Sequence, residues 1–343
     1  MRVSVIDPLT DPRWRTLVER HPAAGIFHTP EWLSALHRTY RYQTLAYVGL
    51  GFHDEIICGI PFCKVRSLIT GRRLVSLPFS DHCQPLVSNA DELNELLSAV
   101  QNDVRRQRLN YVEIRPVSDD PPIGELQETS QAALHRLDLS CGERALLNGF
   151  HKSCILRKLR SEDGLSYAED RSDRFLAAFY RLLVLTRRRH QIPPQPFAWF
   201  KHLRDCMGEG LSVHIALKDQ IPVASIVTLS FKRVLTYKYS CSDSAYNADG
   251  GTIRLMWRII RNSAARGAVE LDLGRSDLDN PGLITFKNRW GSVQTRLLYF
   301  RYPFACKTVI SQSPIALAAK RLLTRMPDRL FTAVGGLLYR HVG

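Results

Sequence analysis

The sequence predicts an α+β protein built from two tandem units of similar design, each a mixed, mainly antiparallel sheet with packed helices. The chain has 343 residues, of which 45% are hydrophobic and 23% charged. This length favours two domains, and the composition is typical of globular proteins. One order of strand and helix patterns also occurs twice along the chain, about 160 residues apart, which indicates a duplication.

The first unit contains the order strand, strand, helix, strand. Residues 91–108 place leucine and valine at three- and four-residue steps, with acidic residues in the first turn and arginines in the last. This pattern is typical of an amphipathic helix. A loop rich in proline and aspartate at 118–131 precedes a last strand. The strands that we expect in this unit are 56–65, 73–79, 110–116 and 132–139.

The same order returns in the second half of the chain. A helix is expected at 250–267, and strands are expected at 211–217, 223–231, 234–243 and 268–274. Matching landmarks are separated by nearly constant offsets: 162 residues from Asp81 to Asp243, 157 from Val112 to Val269, and 159 between the helix starts. We therefore expect two domains, at 1–140 and 141–305.

Two basic helices are predicted between the repeated patterns, at 142–160 and 172–189, and both end in arginine. The segment HKSCILRKLR (151–160) includes Arg157 and Lys158. A basic run is usually a solvated helix face. Two such clusters on either side of one acidic loop, SEDG, also fit a clamp for phosphate groups.

Segment 270–291, ELDLGRSDLDNPGLITFKNRWG, combines a hydrophobic strand with a polar loop and a helix that begins at Pro281. In that helix Phe286 and Trp290 are four residues apart on one face, with Lys287 beside them. Polar loops at strand ends often carry functional residues. The alternative is a capped loop with a lysine on the surface.

The charge of the chain favours anionic partners. Lys and Arg number 47 against 33 Asp and Glu, a formal net charge of +14, which suits nucleic acid, phospholipid headgroups or phosphate-bearing substrates. Aspartate and proline interrupt the first fourteen residues, and charged residues interrupt every long apolar run, so we expect a cytoplasmic protein without a membrane span. No CxxC pair and no GxSxG motif occurs, and we expect no metal site.

The C-terminal segment 306–343 is predicted to form basic amphipathic helices, interrupted at Pro327. From residue 301 onward, seven basic residues and one acidic residue give a charge of +6. Such helices could lie on an anionic membrane or pack against the second domain. The sequence leaves both alternatives open.

Six motifs occur in this order along the chain: FHTPEWL (27–33), LPFSDHCQPLV (77–87), HKSCILRKLR, LTRRRHQIPPQP (185–196), YKYSCSD (237–243) and DLGRSDLDNPGLITFKNRWG. Together they resemble the FemAB-type branch of the GNAT acyltransferase superfamily. The resemblance implies two tandem GNAT-like domains, in agreement with the repeat. The type enzymes transfer an amino acid from aminoacyl-tRNA to a lipid-linked peptidoglycan precursor, and the variant with LTRRR and LLYRHVG resembles relatives associated with exopolysaccharide production.

The resemblance also implies roles for individual residues. Lys287 matches the lysine of the family's FK pair at the transfer site, and Arg157 and Lys158 would lie near substrate phosphates. The GNAT pyrophosphate signature Q/RxxGxG is missing, and ADGG (248–251) stands at a helix start in its place. We expect Lys287 to stabilise an oxyanion or a donor phosphate, and Asp272 or Asp243 to act as base. The residues expected to contact substrate are Phe286, Arg275, Arg157, Lys158, Tyr237, Tyr239, Trp290 and Asp81.

The leading hypothesis is an acyl or aminoacyl transferase that acts at the cytoplasmic membrane surface. Its donor would be acyl-CoA or aminoacyl-tRNA, with no permanently bound cofactor. Its acceptor would be an amine or hydroxyl of a cell-envelope glycan or lipid-linked precursor. The competing hypothesis is a non-catalytic basic module that binds RNA or another anionic polymer, although no nucleic-acid motif is present. No pattern in the sequence predicts the oligomeric state.

Overall fold

In a computed structural model of the protein, the described residues are 1–67, 71–117, 125–161, 164–303 and 326–342. The chain divides into two compact units. Unit 1 comprises Met1–Ala133, Arg296–Thr308 and Leu338–Gly343, and unit 2 comprises Leu134–Thr295 and Val309–Leu337. Each unit therefore combines one long segment with shorter segments from later in the chain.

Unit 1 is built on an antiparallel meander that ends in a parallel pair. Strands β1 to β4 pair antiparallel in sequence order, and β5 joins β4 in parallel. The longest helix of the unit, α3, buries Leu96, Leu97, Val100 and Val104 against this sheet. The elements are β1 (Arg2–Ile6), α1 (Pro12–Arg20), α2 (Pro30–Tyr40), β2 (Gln43–Leu50), β3 (Ile56–Ser67), β4 (Gly71–Val75), α3 (Ala90–Arg106) and β5 (Tyr111–Ile114).

Unit 2 repeats this design. The strand order is β6-β11-β10-β9-β8-β7, with β7 to β10 antiparallel and β10 parallel to β11. The elements up to β10 are β6 (Gln127–Asp138), α4 (Glu143–Gly149), α5 (Arg157–Arg160), β7 (Ser166–Asp170), α6 (Asp173–Arg189), α7 (Phe197–Met207), β8 (Leu211–Lys218), β9 (Ile221–Phe231) and β10 (Val234–Ser242). The remaining elements of the chain are α8 (Gly251–Ala265), β11 (Glu270–Asp277), α9 (Pro281–Asn288), β12 (Val293–Tyr302) and α10 (Asp328–Val342).

The predicted duplication is confirmed by the shared strand order. In unit 1 the series β2-β3-β4-α3-β5 has the same pairing as β8-β9-β10-α8-β11 in unit 2. The registers of the parallel pairs also match. Val75 lies opposite Glu113 as the third pair of one unit, and Thr236 lies opposite Asp272 as the third pair of the other. The repeat therefore sets an acidic side chain at one equivalent position in each unit.

Strands β12 and β6 depart from the two continuous domains expected at 1–140 and 141–305. Strand β12 pairs antiparallel with β5, with Phe300 opposite Ile114 and Tyr302 opposite Val112, so residues from Arg296 onward belong to unit 1. Strand β6 lies beside β11, and its residues from Leu134 onward belong to unit 2. Pairing between strands distant in sequence leaves no signal in the composition, so the sequence did not predict that these strands cross the expected domain boundaries.

The basic helix expected at 142–160 is broken into shorter pieces. Phe150 adopts an extended backbone after α4, and its buried ring lies 5.0 Å from Trp290 and 5.4 Å from Trp257 between ring centroids. His151 then accepts a hydrogen bond from the Cys154 amide and starts a π-helical turn over Lys152–Leu156. Core packing of one aromatic ring thus overrides the helical pattern.

The sheet of unit 2 carries different helices on its two faces. One face packs against α8, through residues such as Leu255, Met256 and Ile259. The other packs against α6, whose Phe179 meets Phe200 of α7 at 5.0 Å between ring centroids. These two apolar layers fix the strands that carry the candidate site.

The C-terminal region is described only from residue 326 to residue 342. The predicted stripe at 308–325 therefore lies outside the described residues. Within α10, Phe331 is fully buried, whereas Leu330 and Leu337 are 56% and 72% exposed. Among the described helices, none is long and apolar enough to cross a membrane.

Candidate functional site

The carboxyl ends of β10 and β11 diverge and define the candidate site in unit 2. The strands pair in parallel only from Val234–Glu270 to Thr236–Asp272, although β10 continues to Ser242 and β11 to Asp277. Beyond these pairs, β10 bonds to β9 alone among the described register pairs. Ligands in α/β sheets bind beyond the carboxyl ends of parallel strands. The divergence therefore provides a wedge with backbone groups at its edge.

The amino terminus of α8 follows the end of β10 and is rich in glycine. Gly250 caps the helix with a left-handed backbone at φ 69°, a conformation that glycine adopts at little cost. The Lys158 ammonium donates a hydrogen bond to the carbonyl of Ala248, and a Cβ at position 250 would lie 3.2 Å from the Lys158 side chain. The sequence-predicted Lys158 is thus brought to the ADGG turn, where the helix dipole already favours anions.

Two further cations stabilise this turn. Lys218 pairs with Asp249 at 2.9 Å, and this carboxylate raises the pKa of the lysine. The buried Arg254 donates to the Asp249 carbonyl at 3.2 Å and to the Ser161 carbonyl at 2.8 Å. These bonds from Lys218 and Arg254 hold the turn that precedes the first amides of α8.

Asp243 occupies the connection between β10 and α8. Its carboxylate accepts a hydrogen bond from the Ala245 amide at 3.0 Å and caps the 3-10 turn Ser244–Asp249. The side chain is half-buried. Asp243 therefore has a structural role as a cap and remains accessible at the edge of the wedge.

A buried polar cluster joins β11 to α9. The Lys287 ammonium donates to the carbonyls of Gly274 and Arg275, at 2.8 and 3.0 Å, and only 2% of the lysine is exposed. Asp272, which is 3% exposed, accepts from the Gly274 amide at 2.8 Å. Gly274 has φ 71°, a backbone conformation that glycine adopts at little cost. The alternative of a lysine on the surface is wrong.

Arg275 continues this cluster toward solvent. Its guanidinium pairs with Asp277 at 2.5 Å and is about one quarter exposed, at 27%. The neighbouring Ser276 is 1% exposed, and its hydroxyl has no hydrogen-bond partner within the described part of the chain. The end of β11 thus carries one partly exposed cation and, at the next residue, one buried hydroxyl without a partner among the described residues.

Three of the predicted aromatic residues share the apolar layer under α8. Trp290 is fully buried, and Phe286 and Tyr237 pack against the same cluster with part of their surface exposed. The Phe286 and Trp290 ring centroids are 6.4 Å apart. Burial raises the pKa of Tyr237 to about 12, so its hydroxyl stays protonated at neutral pH. These rings form the apolar floor beside the β11–α9 cluster.

Tyr239 does not join Tyr237, contrary to the expectation that both line one cleft. The pairing with β9 shifts between the two tyrosines, so a bulge at Lys238 replaces the simple alternation. Tyr239 instead accepts a hydrogen bond from Trp199 at 2.8 Å and lies 5.0 Å from the Phe200 ring. It therefore lies on the α6–α7 face of the sheet.

Asp81 and Arg157 were also expected to contact substrate. Asp81 belongs to unit 1, where its carbonyl accepts a hydrogen bond from the Tyr299 hydroxyl at 2.7 Å. Arg157 begins α5 and is exposed. Among the described residues, the only support for substrate binding by Arg157 is that it precedes Lys158 in the chain.

His135 on β6 is a functional candidate that the sequence analysis did not single out. Its side chain is fully buried, and neither ring nitrogen makes a hydrogen bond of normal geometry. Burial and the nearby Lys287 lower the pKa of this imidazole below its usual range, so it is neutral at pH 7. A sequence signal for this candidate was available: a histidine stands within the predicted apolar strand AALHRLDL, and a buried imidazole usually has a hydrogen-bond partner or a function.

The wedge and the β11–α9 cluster contain groups of the kinds that acyl transfer uses. Among the described residues, no group of three or more His, Cys, Asp or Glu side chains could hold a metal ion. The wedge combines backbone donors, a helix amino terminus, an acidic side chain and an apolar floor. Direct attack by a substrate amine or hydroxyl needs a base, orientation and oxyanion stabilisation.

Comparison with known proteins agrees with this architecture. A family model described as an acetyltransferase (GNAT) domain matches residues 155–287, which span the segment from α5 to Lys287. No curated protein matches the sequence. The match covers the divergent strand pair, the start of α8 and the β11–α9 cluster.

Solved structures share the fold over most of the chain at low sequence identity. FemX has a TM-score of 0.70 and 14% identity, with coverage of 88% of this chain and 97% of FemX. L-PGS from Bacillus licheniformis has a TM-score of 0.55 and 14% identity, with coverage of 94% and 98%. A tandem GNAT protein from the clavulanic acid biosynthesis pathway, without AcCoA, has a TM-score of 0.55 and 10% identity, with coverage of 88% and 98%. The expected resemblance is thus confirmed for the domain and the fold: residues 155–287 match a GNAT acetyltransferase domain, and the chain shares its fold with FemX and with a tandem GNAT protein.

Proposed function

We propose that the protein is an acyltransferase that moves an acyl group from acyl-CoA to an amine or hydroxyl of a cell-envelope glycan or lipid-linked precursor. The observation that carries the proposal is the divergence of β10 and β11 beside the glycine-rich start of α8. The GNAT domain match over the same elements supports a CoA thioester as donor.

The pyrophosphate of the donor would bind at the amino terminus of α8. Free amides, the helix dipole and the Lys158 ammonium are adjacent there. Arg157 and Arg275, which reach solvent, would hold other anionic parts of the substrates. Backbone groups along the wedge would bind the acyl chain over the floor formed by Tyr237, Phe286 and Trp290.

The acceptor would attack the thioester carbonyl directly. Its nitrogen or oxygen forms a bond to the carbonyl carbon, the carbon–sulfur bond breaks, and CoA leaves as a thiolate that takes up a proton. A base must remove the proton from the acceptor. Of the two carboxylates that the sequence suggests, Asp243 is half-buried and Asp272 is 3% exposed, so exposure favours Asp243 as base.

Lys287 would act at the same site by holding the end of β11 and by its positive charge. Two of its hydrogen bonds go to carbonyls of β11, and these bonds hold the end of that strand. Its positive charge lies beneath the β11–α9 turn, where it would favour charge development on a thioester oxygen. We therefore propose that Lys287 orders the site and contributes to the field across it.

A role at the inner face of the cytoplasmic membrane fits the acceptor class. The two leucines on α10 that are separated by seven residues, Leu330 and Leu337, lie on one exposed helix face. We propose that this face supports peripheral attachment. Similarity in fold to FemX and to L-PGS is compatible with an envelope substrate.

The experiment that tests the function compares donors and acceptors directly. Purified protein is incubated with acetyl-CoA or with aminoacyl-tRNA, together with extracted envelope glycans and lipid-linked precursors, and products are identified by mass spectrometry. Release of CoA thiol with a matching acyl mass on one acceptor is the expected result. Transfer only from aminoacyl-tRNA would identify aminoacyl-tRNA, rather than acyl-CoA, as the donor. Absence of transfer, together with salt-sensitive binding of any polyanion, would favour the basic-module hypothesis.

A further inference from the structure

Unit 1 contains a basic pocket that is separate from the site proposed in unit 2. We define the basic pocket by four cations, Arg41, Lys64, Arg66 and Arg340, and two tyrosines, Tyr40 and Tyr42. Its volume is about 300 Å³, at the lower end of the range for ligand sites, about 300 to 1,000 Å³. No carboxylate contributes to its lining.

The positive charge of the basic pocket is not balanced by ion pairs within the described part of the chain. Lys64 donates to the amide oxygen of Gln107 at 2.5 Å, a neutral partner. The pKa of Lys64 is lowered by burial first, and then by the neighbouring Arg66 and Arg72, while Asp103 acts in the opposite direction. Asp103 is itself engaged by Tyr47 and Arg106, at 2.9 and 2.8 Å. Repulsion among the cations would be relieved by an anion.

The walls of the basic pocket are fixed by hydrogen bonds rather than by charge. The Tyr42 hydroxyl lies 3.1 and 3.0 Å from the carbonyls of Tyr339 and Arg340, close enough to donate to either. Arg73 donates to the next carbonyl, that of His341, at 2.9 Å. These bonds hold the last turn of α10 and so bring Arg340 over the pocket.

Arg41 occupies a backbone position that usually favours glycine. It ends α2 in the left-handed conformation at φ 60°, and its amide bonds to the His37 carbonyl. A side chain at such a position is tolerated at some cost in conformational energy. The strained position directs an exposed arginine to the rim of the pocket.

We propose that the basic pocket binds the phosphate group of an anionic ligand, carried by a lipid headgroup or by a soluble phosphate ester. Guanidinium groups bind phosphate oxygens through paired hydrogen bonds, and an ammonium adds a point charge. The small volume suits one phosphate and the group next to it. All residues of the pocket belong to unit 1, so the proposal does not depend on the acyltransferase function.

The test measures two phosphate sources against matched variants of the full chain. Sodium pyrophosphate is titrated by calorimetry, and flotation is measured with vesicles of phosphatidylglycerol or of phosphatidylcholine alone. The pocket variant is Arg41→Gln with Arg66→Gln. The control is Arg108→Gln with Arg174→Gln, which removes the same charge from two exposed arginines outside the pocket, one of which, Arg108, is also left-handed at φ 51°.

We expect the pocket variant to lose about tenfold or more in affinity for one of the probes, since each charged hydrogen bond contributes strongly to binding. The control should retain the wild-type affinity. Loss of pyrophosphate binding alone assigns a soluble ester, and loss of phosphatidylglycerol binding assigns a headgroup. Equal affinities in both variants, or no binding of either probe by the wild type, would overturn the proposal.

Discussion

Two buried ionisable residues of the sequence motifs, Lys287 and His28, form hydrogen bonds with backbone groups. Lys287 is part of an FK pair whose chemistry suggested direct catalysis, yet its ammonium is committed to two strand carbonyls. His28 belongs to the FHTPEWL motif and is 2% exposed, with hydrogen bonds to backbone groups on both ring nitrogens. Both motif residues thus bind backbone groups of their own unit.

Replacement of Lys287 by methionine should reduce stability as well as activity. The change leaves the buried carbonyls of Gly274 and Arg275 without their partner, and each such loss costs about 1 to 3 kcal/mol. We expect the free energy of unfolding to fall by about 2 to 4 kcal/mol, measured by chemical denaturation. The exposed Lys201→Met is the control. Equal stability of the two variants would contradict the contacts described for Lys287.

The burial of His28 predicts a loss of stability in mild acid. Burial lowers its pKa from 6.5 to about 4, so the folded state resists a proton that the unfolded state accepts. The stabilisation is complete above pH 6.5 and declines as the pH falls toward 4, by about 2 kcal/mol at pH 5. His28→Gln should flatten the pH profile of unfolding between pH 7 and 5. If the exposed His53→Gln flattens it equally, the assignment to His28 is wrong.

At the scale of elements, periodicity predicted α3, α8, the strands β3 to β5 and the strands β8 to β11, because their apolar faces follow one regular repeat. It did not predict four strands or helices of unit 1 and three further elements, whose short or locally mixed sequences carry weaker patterns: β1, β2, α1, α2, β7, α7 and β12. The helix at 142–160 was mispredicted because Phe150 leaves the helix to enter the core. Local propensity yields to burial of a large ring at such positions.

The candidate site was predictable in part for the same reason. The strand-loop-helix pattern identified Asp272, Arg275 and Lys287 together, and these residues do form one cluster. The alternation rule failed for Tyr239, since one bulged residue reverses the face of every later side chain. The strand that carries His135 was predicted, but the position of His135 near Lys287 follows from the placement of β6 beside β11, which is distant in sequence and leaves no local pattern.

The exposed face of α10 predicts a hydrophobic contribution to membrane attachment. Leu330→Ser with Leu337→Ser removes two exposed leucines and leaves the buried Phe331 intact. Burial of each leucine in the interface contributes about 1.5 to 3 kcal/mol, so flotation with phosphatidylglycerol vesicles should fall at least tenfold. Phe52→Ser removes an exposed ring elsewhere and should have no effect. Undiminished flotation of the leucine variant would exclude this face as the attachment surface.

The whole molecule is a duplication in which the two copies have diverged in chemistry. The equivalent acidic positions illustrate this. Glu113 in unit 1 is buried between Arg115 and Arg301, at 2.8 and 2.6 Å, and these partners keep its pKa low despite burial. Asp272 in unit 2 instead accepts a backbone amide next to Lys287. In unit 1 the acidic residue belongs to an ion-pair network. In unit 2 it lies where the pairing of β10 with β11 ends.

The central claim is that acyl-CoA binds at the start of α8, and an acetyl-CoA titration of the full chain tests it most directly. The account predicts saturable binding to one site per chain. Lys158→Met should weaken it about tenfold, because one charged contact to the pyrophosphate is lost, whereas Lys152→Met, an exposed lysine on the same segment, should leave it unchanged. Absence of saturable binding, or equal affinities in the two variants, would contradict the claim.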